Sequence, residues 1–442
     1  MSQLHIGRTR LRLSRKGEHE ASRPAEPDSW LKLSRRAICQ GLTGFMATLF
    51  GGPGSRSLYA NAYATWKATT GGKLIESLPS GVEVWQVTTE EMPQSNIYCE
   101  VPYTSADGKR FVYWRRNRTV QGGNRIEFVV VEFGTWQQEK LDEARTISGC
   151  AITPDGHFYY IRRGEAPQEL WRADLSSGKK EHVCNVPEET PLTSLGTVTS
   201  DHRYYACGTR TDPTFQTFEI LFIDLITGEQ KIIDRDPYIL NPHPQFEPGQ
   251  GKYLMIQHNR GGKYSPDGKL EQLVGPEGAT LYLLEIPQGS RVPLRVGTPY
   301  TTPCTGHEAW IGTTGEILLS VSASGEFAPE KGNLLGIRPG EDYRVVARGY
   351  RFNHVGATRC GRLFSADDWQ TPFKVVIGST ATGRTVELCA SQTSPTRDQA
   401  THPHPYISTD LRWVVFNSNR FGIPHIFAAS IPEKIREELL AT

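Results

Sequence analysis

The stretch "PYTSADGKRFVYWRR", residues 102–116, carries the pattern from which the fold is read. A short extended run leads into a turn built on Ser, Asp and Gly. A strand rich in aromatic and β-branched residues follows and ends in two arginines. Asp-Gly between alternating apolar runs is a hairpin signal, because glycine supplies the positive φ that a tight turn requires. The same grammar returns as "AITPDGHFYYIRR" (151–163), "TVTSDHRYYACGTR" (197–210), "HPQFEPGQGKYLMIQHNR" (243–260) and "GHEAWIGTTGEILLSVSA" (306–323). Two further copies are "FNHVGATRCGRLFSADDW" (352–369) and "HPHPYISTDLRWVVFNSNR" (402–420).

Seven copies at intervals of roughly 40 to 60 residues predict seven four-stranded blades around an axis, an all-β, seven-bladed β-propeller. Most copies continue into a second hairpin, as in "LWRADLSSGKKEHV" (170–183) and "ILFIDLITGEQKII" (220–233). The last copy ends one strand short after "HIFAASIP", and "GVEVWQVTT" (81–89) is expected to supply the missing outer strand and close the ring. Residues 63–442 then form one propeller domain.

Composition bounds the function. The 442 residues carry 49 Lys and Arg against 48 Asp and Glu, a net charge of +1, so any cationic surface has to be local. The eight cysteines include no C-x-x-C pair, which favours buried free thiols over a disulfide framework or a cysteine zinc site. Residues 1–62 read differently: a basic tail leads to "LSRRAICQGLTGFMATLFGG", where Arg35-Arg36 precedes a weakly apolar, glycine-containing run, and "SLYANA" follows. This resembles a twin-arginine export signal, with cytoplasmic residence as the alternative. The run is too short for a stable membrane anchor.

In a propeller, the starts of the inner strands and the ends of the second strands meet at one mouth of the axial channel. At second-strand ends stand Arg115, Arg116, Arg162, Arg163, Arg210, His258, Arg260 and Arg420. They predict a basic rim for a carboxylated ligand, with Arg210, Arg260 and Arg162 as substrate contacts. A ring around a pocket does not suit nucleic acid, which needs cations along a groove with stacking aromatics. At inner-strand starts stand His243, His307, His354, His402 and His404, with Gln399 just ahead of the last two. On an extended backbone, His402 and His404 point to one side. Imidazoles with an amide oxygen suit a divalent transition metal, and Asp398 is placed to orient one imidazole.

The "QATHPHP" stretch at 399–405, "GHEAW" at 306–310 and a strand-ending His258 between "HPQFEP" and "GHEAW" together resemble the oligogalacturonate lyases. The resemblance covers about residues 65–435. It implies a seven-bladed propeller that cleaves short pectin fragments with a manganese-type ion. Position by position, it implies His307, Gln399, His402 and His404 as metal ligands and His258 as the catalytic base. The resemblance also implies an arginine beside the base, for which Arg235 has about the right separation and Arg210 is the rival. After His258 the family pattern His-Glu-Gly-Pro is replaced by "HNRGGKYSPDGK", which alters the pocket wall.

The implied chemistry is β-elimination in a 4-linked uronate. The proton on carbon 5 leaves, and charge accumulates on the neighbouring carboxylate. A divalent cation and an arginine offset that charge, and a neutral histidine is a suitable base. The expected substrate is an acidic oligosaccharide such as an oligogalacturonide, cut to 4,5-unsaturated products. The alternatives are a lyase for a different acidic polysaccharide and a non-catalytic periplasmic propeller that binds an anionic ligand.

Overall fold

The computed structural model describes residues 69–117, 125–164 and 167–441, so the export-signal-like segment lies outside the described residues. Seven blades follow one another around an axis. The first joins an inner strand at Gln94–Asn96 to Arg110–Asn117, Arg125–Glu132 and Gln137–Ala144. The second runs from Ala151–Ile152 to Lys180–Val186, and the third from Leu192–Val198 to Gln230–Asp236. The fourth spans Gln245–Phe246 to Ser290–Pro293, the fifth Cys304–Trp310 to Arg344–Ala347, and the sixth Phe352–Ala357 to Thr385–Ala390.

The seventh blade is built from both ends of the chain. Tyr406–Ile407, Trp413–Ser418 and His425–Ser430 are completed by Glu83–Gln86, with Val84 opposite Ala429 and Gln86 opposite Phe427. The closing strand expected at 81–89 is therefore present. A further strand, Lys73–Ser77, pairs outside it and makes this blade five-stranded.

Each blade is buried on both faces, which is why its strands read as nearly continuous apolar runs. Successive residues of the seventh blade serve different interfaces. Val415, Ile426 and Ala428 join the core shared with the first blade. Val414, Phe416, Phe427 and Ala429 join Val84 and the sixth blade's Val375 and Ile377. The period of two along a strand thus becomes two separate hydrophobic layers.

The Asp-containing turns of the repeat stack around the face opposite the inner-strand starts. Asp107 and Asp410 each accept from a Ser hydroxyl two residues back and from the backbone N–H two residues on. Gly108 (φ 71°) and Gly156 (φ 84°) let neighbouring turns touch, since a Cβ at Gly156 would lie 2.6 Å from the Ala106 nitrogen. Across this face Arg359 of the sixth blade donates to the carbonyls of Thr104, at 2.7 Å, and Pro154, at 2.6 Å, tying three blades together.

The described cysteines are unpaired thiols, and five of those seven are buried. No helix among the described residues is long and apolar enough to cross a membrane.

Val84 is fully buried in the closing strand, whereas Leu74 on the adjoining outer strand is 41% exposed. Val84→Ala removes two buried methyl groups and is expected to cost roughly 2 kcal/mol. Leu74→Ala is expected to cost less than about 0.5 kcal/mol. Urea unfolding midpoints check this, and equal midpoints for the two variants would show that this strand does not close the ring.

Candidate metal centre at the channel mouth

Five histidines from four blades converge where the inner strands begin. Ligand nitrogens of His354, His402 and His404 all lie within 4.8 Å of one another. The His307 ring centroid is 4.2 Å from that of His354. His243 reaches the group through Tyr98, whose ring lies 5.5 Å from His243, 6.4 Å from His307 and 4.7 Å from His404. Trp369 walls the other side, 5.1 Å from both His354 and His402.

His402 is extended, but His404 adopts φ 43° and His243 adopts φ 42°. Each sits inside a Pro-His-Pro tripeptide, at 242–244 and 403–405. A left-handed conformation costs a non-glycine residue about 1–2 kcal/mol. The imidazoles of His402 and His404 thus meet through a kinked backbone, not through the simple pleat that the alternation argument predicts.

Protein partners fix one ring nitrogen on four of these histidines; on His243 it is Nε2, 3.0 Å from the Asn241 side-chain amide. His354 places Nδ1 2.6 Å from Asp367 Oδ2, while its backbone N–H donates to the other oxygen of the same carboxylate. His402 Nε2 is 2.8 Å from the Thr396 carbonyl, and His307 Nδ1 is 3.0 Å from Thr305 Oγ1. This leaves His402 Nδ1 facing His354 Nε2 at 3.4 Å. The buried Nε2 of His404 has no hydrogen-bond partner. An orphaned imidazole nitrogen beside two others, each oriented from behind, is the arrangement a transition metal requires, so the residues present fit such an ion.

Burial holds His243 down at about 4, and burial together with neighbouring imidazoles keeps His307, His354 and His404 well below the usual range. The cluster is therefore neutral at pH 7, the state that can ligate a metal. Burial also raises the carboxyls beneath it, Asp367 to about 7 and Glu308 to about 8.

The structure redistributes several expected roles. His354, read from the sequence as an inner-strand start, stands in the tight trio in place of His307. Gln399 is exposed on the single 3-10 turn Gln399–Thr401, where its carbonyl accepts from the His402 N–H. Asp398 caps that turn by accepting from the Ala400 N–H and orients no imidazole. Asp367 does that instead. It could have been noticed, because "SADDW" ends its second strand in acids where other copies carry arginine. The repeated Pro-His-Pro could likewise have singled out His243. Tyr98 had no sequence signal.

His258 faces the wall between the third and fourth blades, because its strand points the neighbouring Gln257 toward Gly306 and turns His258 the other way. Its Nε2 is 3.0 Å from Asp236 Oδ1, and its ring packs edge-on against Tyr238 and Tyr282. Arg235 stands on the outer strand of the third blade, exposed and bonded to Glu219 at 2.8 Å. The rim arginines are engaged within the protein. Arg210 lies 3.6 Å over Phe215, which the hairpin after His258 covers with Tyr264. Arg260 donates to the carbonyls of Glu277, Gly278 and Thr298. Arg162 lies 4.3 Å over Trp171, and Arg420 pairs with Glu76 at 2.6 Å. Arg210 and Arg162 thus stack on aromatic rings, Arg260 bonds to backbone carbonyls and Arg420 to a carboxylate.

No protein-family model matches the sequence, and no curated protein sequence matches it. Solved structures do match its fold. An oligogalacturonate lyase in complex with manganese superimposes with a TM-score of 0.63 at 18% identity, covering 83% of this chain and 97% of that one. An oligogalacturonate lyase from Vibrio parahaemolyticus gives 0.56 at 18% identity, covering 82% and 97%. The propeller domain of the Trilobed protease from Pyrococcus furiosus gives 0.47 at 12% identity, covering 77% and 94%. This chain shares the propeller fold of the oligogalacturonate lyases over nearly their whole length, and at these identities the likeness is one of fold.

Proposed function

We propose that this chain is a metal-dependent lyase that cleaves an acidic oligosaccharide, such as an oligogalacturonide, by β-elimination. The observation that carries this reading is the trio His354, His402 and His404, with its orphaned His404 nitrogen, at the mouth of a propeller shaped like the oligogalacturonate lyases. These three residues, with His307 beside them, would hold a divalent ion, for which manganese(II) is proposed. Bound there, such an ion supplies Lewis-acid stabilisation of the charge that develops on a uronate carboxylate.

The chain's own groups account for the proton transfers. A neutral imidazole takes the proton from carbon 5, the carbon 4–carbon 5 double bond forms, and the carbon 4–oxygen bond breaks. We assign the base to His243, a half-buried imidazole outside the trio that touches Tyr98. Burial keeps the Tyr98 phenol protonated, so it can donate to the departing oxygen. His258, the base implied by the resemblance, packs into the wall between the third and fourth blades. The hairpin Lys263–Tyr264 and Leu270–Gln272, which follows His258, alters that wall and bears on which uronate is accepted. Export through a twin-arginine-type signal is also proposed, on the strength of the segment around Arg35-Arg36 alone.

Uronate oligomers incubated with protein and manganese(II) are expected to give the ultraviolet absorbance of a conjugated 4,5-unsaturated product. A chelator should abolish it, and added metal should restore it. Absence of the chromophore on every uronate oligomer tried would rule out the lyase reading.

Asp367→Asn leaves the trio in place but weakens the orientation of His354. Metal affinity should fall by about 10- to 100-fold, as is usual when the partner behind a ligating histidine is changed. Calorimetric titration of manganese(II) measures this, and an unchanged affinity would remove Asp367 and His354 from the centre.

For the base, His243→Ala should lower kcat by about 100- to 10,000-fold while the metal is retained. His258→Ala should keep its turnover and lose thermal stability, because Asp236 loses a partner. The reverse pattern would return the base to His258.

A further inference from the structure

Two neighbouring copies of the repeat place a histidine just after the turn aspartate: His157, two residues past Asp155 in "TPDGHF" of the second blade, and His202, next to Asp201 in "TSDHRY" of the third. In the first and seventh blades the corresponding stretches are "SADGKR" and "STDLRW", without histidine. These turns lie at the far ends of the inner strands from the histidine cluster at the channel mouth.

The fold brings Asp155, His157 and His202 together there. Asp155 Oδ2 is 2.8 Å from His202 Nε2 and 3.1 Å from His157 Nδ1. Ligand atoms of all three residues lie within 4.8 Å of one another, and the two imidazoles stand edge-on with centroids 5.0 Å apart. Asp107 and Asp410 use one oxygen to hold the turn. Asp155 does this with Oδ1, which accepts from Thr153 at 2.5 Å, and turns Oδ2 to the histidines.

Two details point to a ligand. His157 Nδ1 is buried yet has no hydrogen-bond partner, so its approach to Asp155 is close without being a hydrogen bond. His202 Nδ1 sits 2.7 Å from the Tyr159 hydroxyl, which also accepts from Arg172. The ring is thereby anchored from behind with Nε2 pointing at the other two groups, as in histidines that bind metals. His202 is held at φ 60° to reach this position.

We propose that Asp155, His157 and His202 form a second divalent metal site, which clamps the second blade to the third. Two imidazoles and one carboxylate suit zinc, nickel or copper(II), and they do not suit calcium or magnesium, which take mostly oxygen ligands. The three residues are partly exposed and leave open positions for water. This site stands on its own geometry and does not depend on the lyase reading.

The test uses the full chain carrying His402→Ala and His404→Ala, which removes the centre at the channel mouth. Calorimetric titration with zinc(II) should show one ion bound per chain, with a rise in melting temperature that magnesium(II) does not reproduce. Adding His157→Ala and His202→Asn should abolish both effects; asparagine tolerates the left-handed backbone at 202. No zinc binding by the first variant, or binding unchanged by the second pair of substitutions, would overturn the proposal. Should the four-fold variant fail to fold, His157→Ala alone in the otherwise native chain gives the same reading, as the loss of one bound zinc ion relative to the native chain. An unchanged zinc stoichiometry would then overturn it.

Discussion

The ring depends on one short backbone ladder, in which Glu83–Gln86 pairs with His425–Ser430. Each blade buries its two faces against its neighbours, so an open ring would expose two of those faces at once. The ladder joins residues more than 300 positions apart, and loop closure on that scale is entropically costly. Burial of Val84 among Val375, Val414 and Phe427 offsets part of that cost. The carbonyl clamp made by Arg359 on the far face joins the sixth blade to the first two and so bridges the same closure.

Closure also positions the histidine cluster. His402 and His404 enter the seventh blade, the one completed by the N-terminal strand, and Asn417 of that blade bonds to the His402 carbonyl and to Asn96 of the first. His354 comes from the sixth blade, His307 from the fifth and His243 from the turn into the fourth. The neutral imidazoles, the kinked Pro-His-Pro backbones and the unsatisfied His404 nitrogen each cost stability in the folded chain. Such features persist where the surrounding structure over-determines them, and they concentrate at functional sites. The protein therefore carries a rigid polar centre at one end of its channel and a second, more exposed histidine–aspartate group at the other.

Much of this architecture was legible in the sequence. The number of blades, the Asp-containing turns and the borrowed closing strand all follow from local rules: period-two burial, glycine at positive φ, and a last repeat that lacks one strand. The gathering of histidines at inner-strand starts followed from the same repeat once propeller geometry was assumed. The assignments that depended on a single side chain's direction fared differently. Arg210, Arg260 and Arg162 occupy the expected strand ends, yet each is taken by Phe215, by backbone carbonyls or by Trp171.

By itself, then, the sequence determined that the chain is a closed ring of seven repeated sheets with imidazoles near one mouth. Backbone periodicity and turn chemistry are short-range properties written residue by residue. Only the tertiary structure decided that His354 joins His402 and His404 with Asp367 behind it, that His258 turns into the wall against Asp236, and that Asp155 meets histidines from two blades. Those pairings are made through space between blades, where a few degrees of strand twist or one left-handed residue selects the partner. No spacing along the chain encodes that selection.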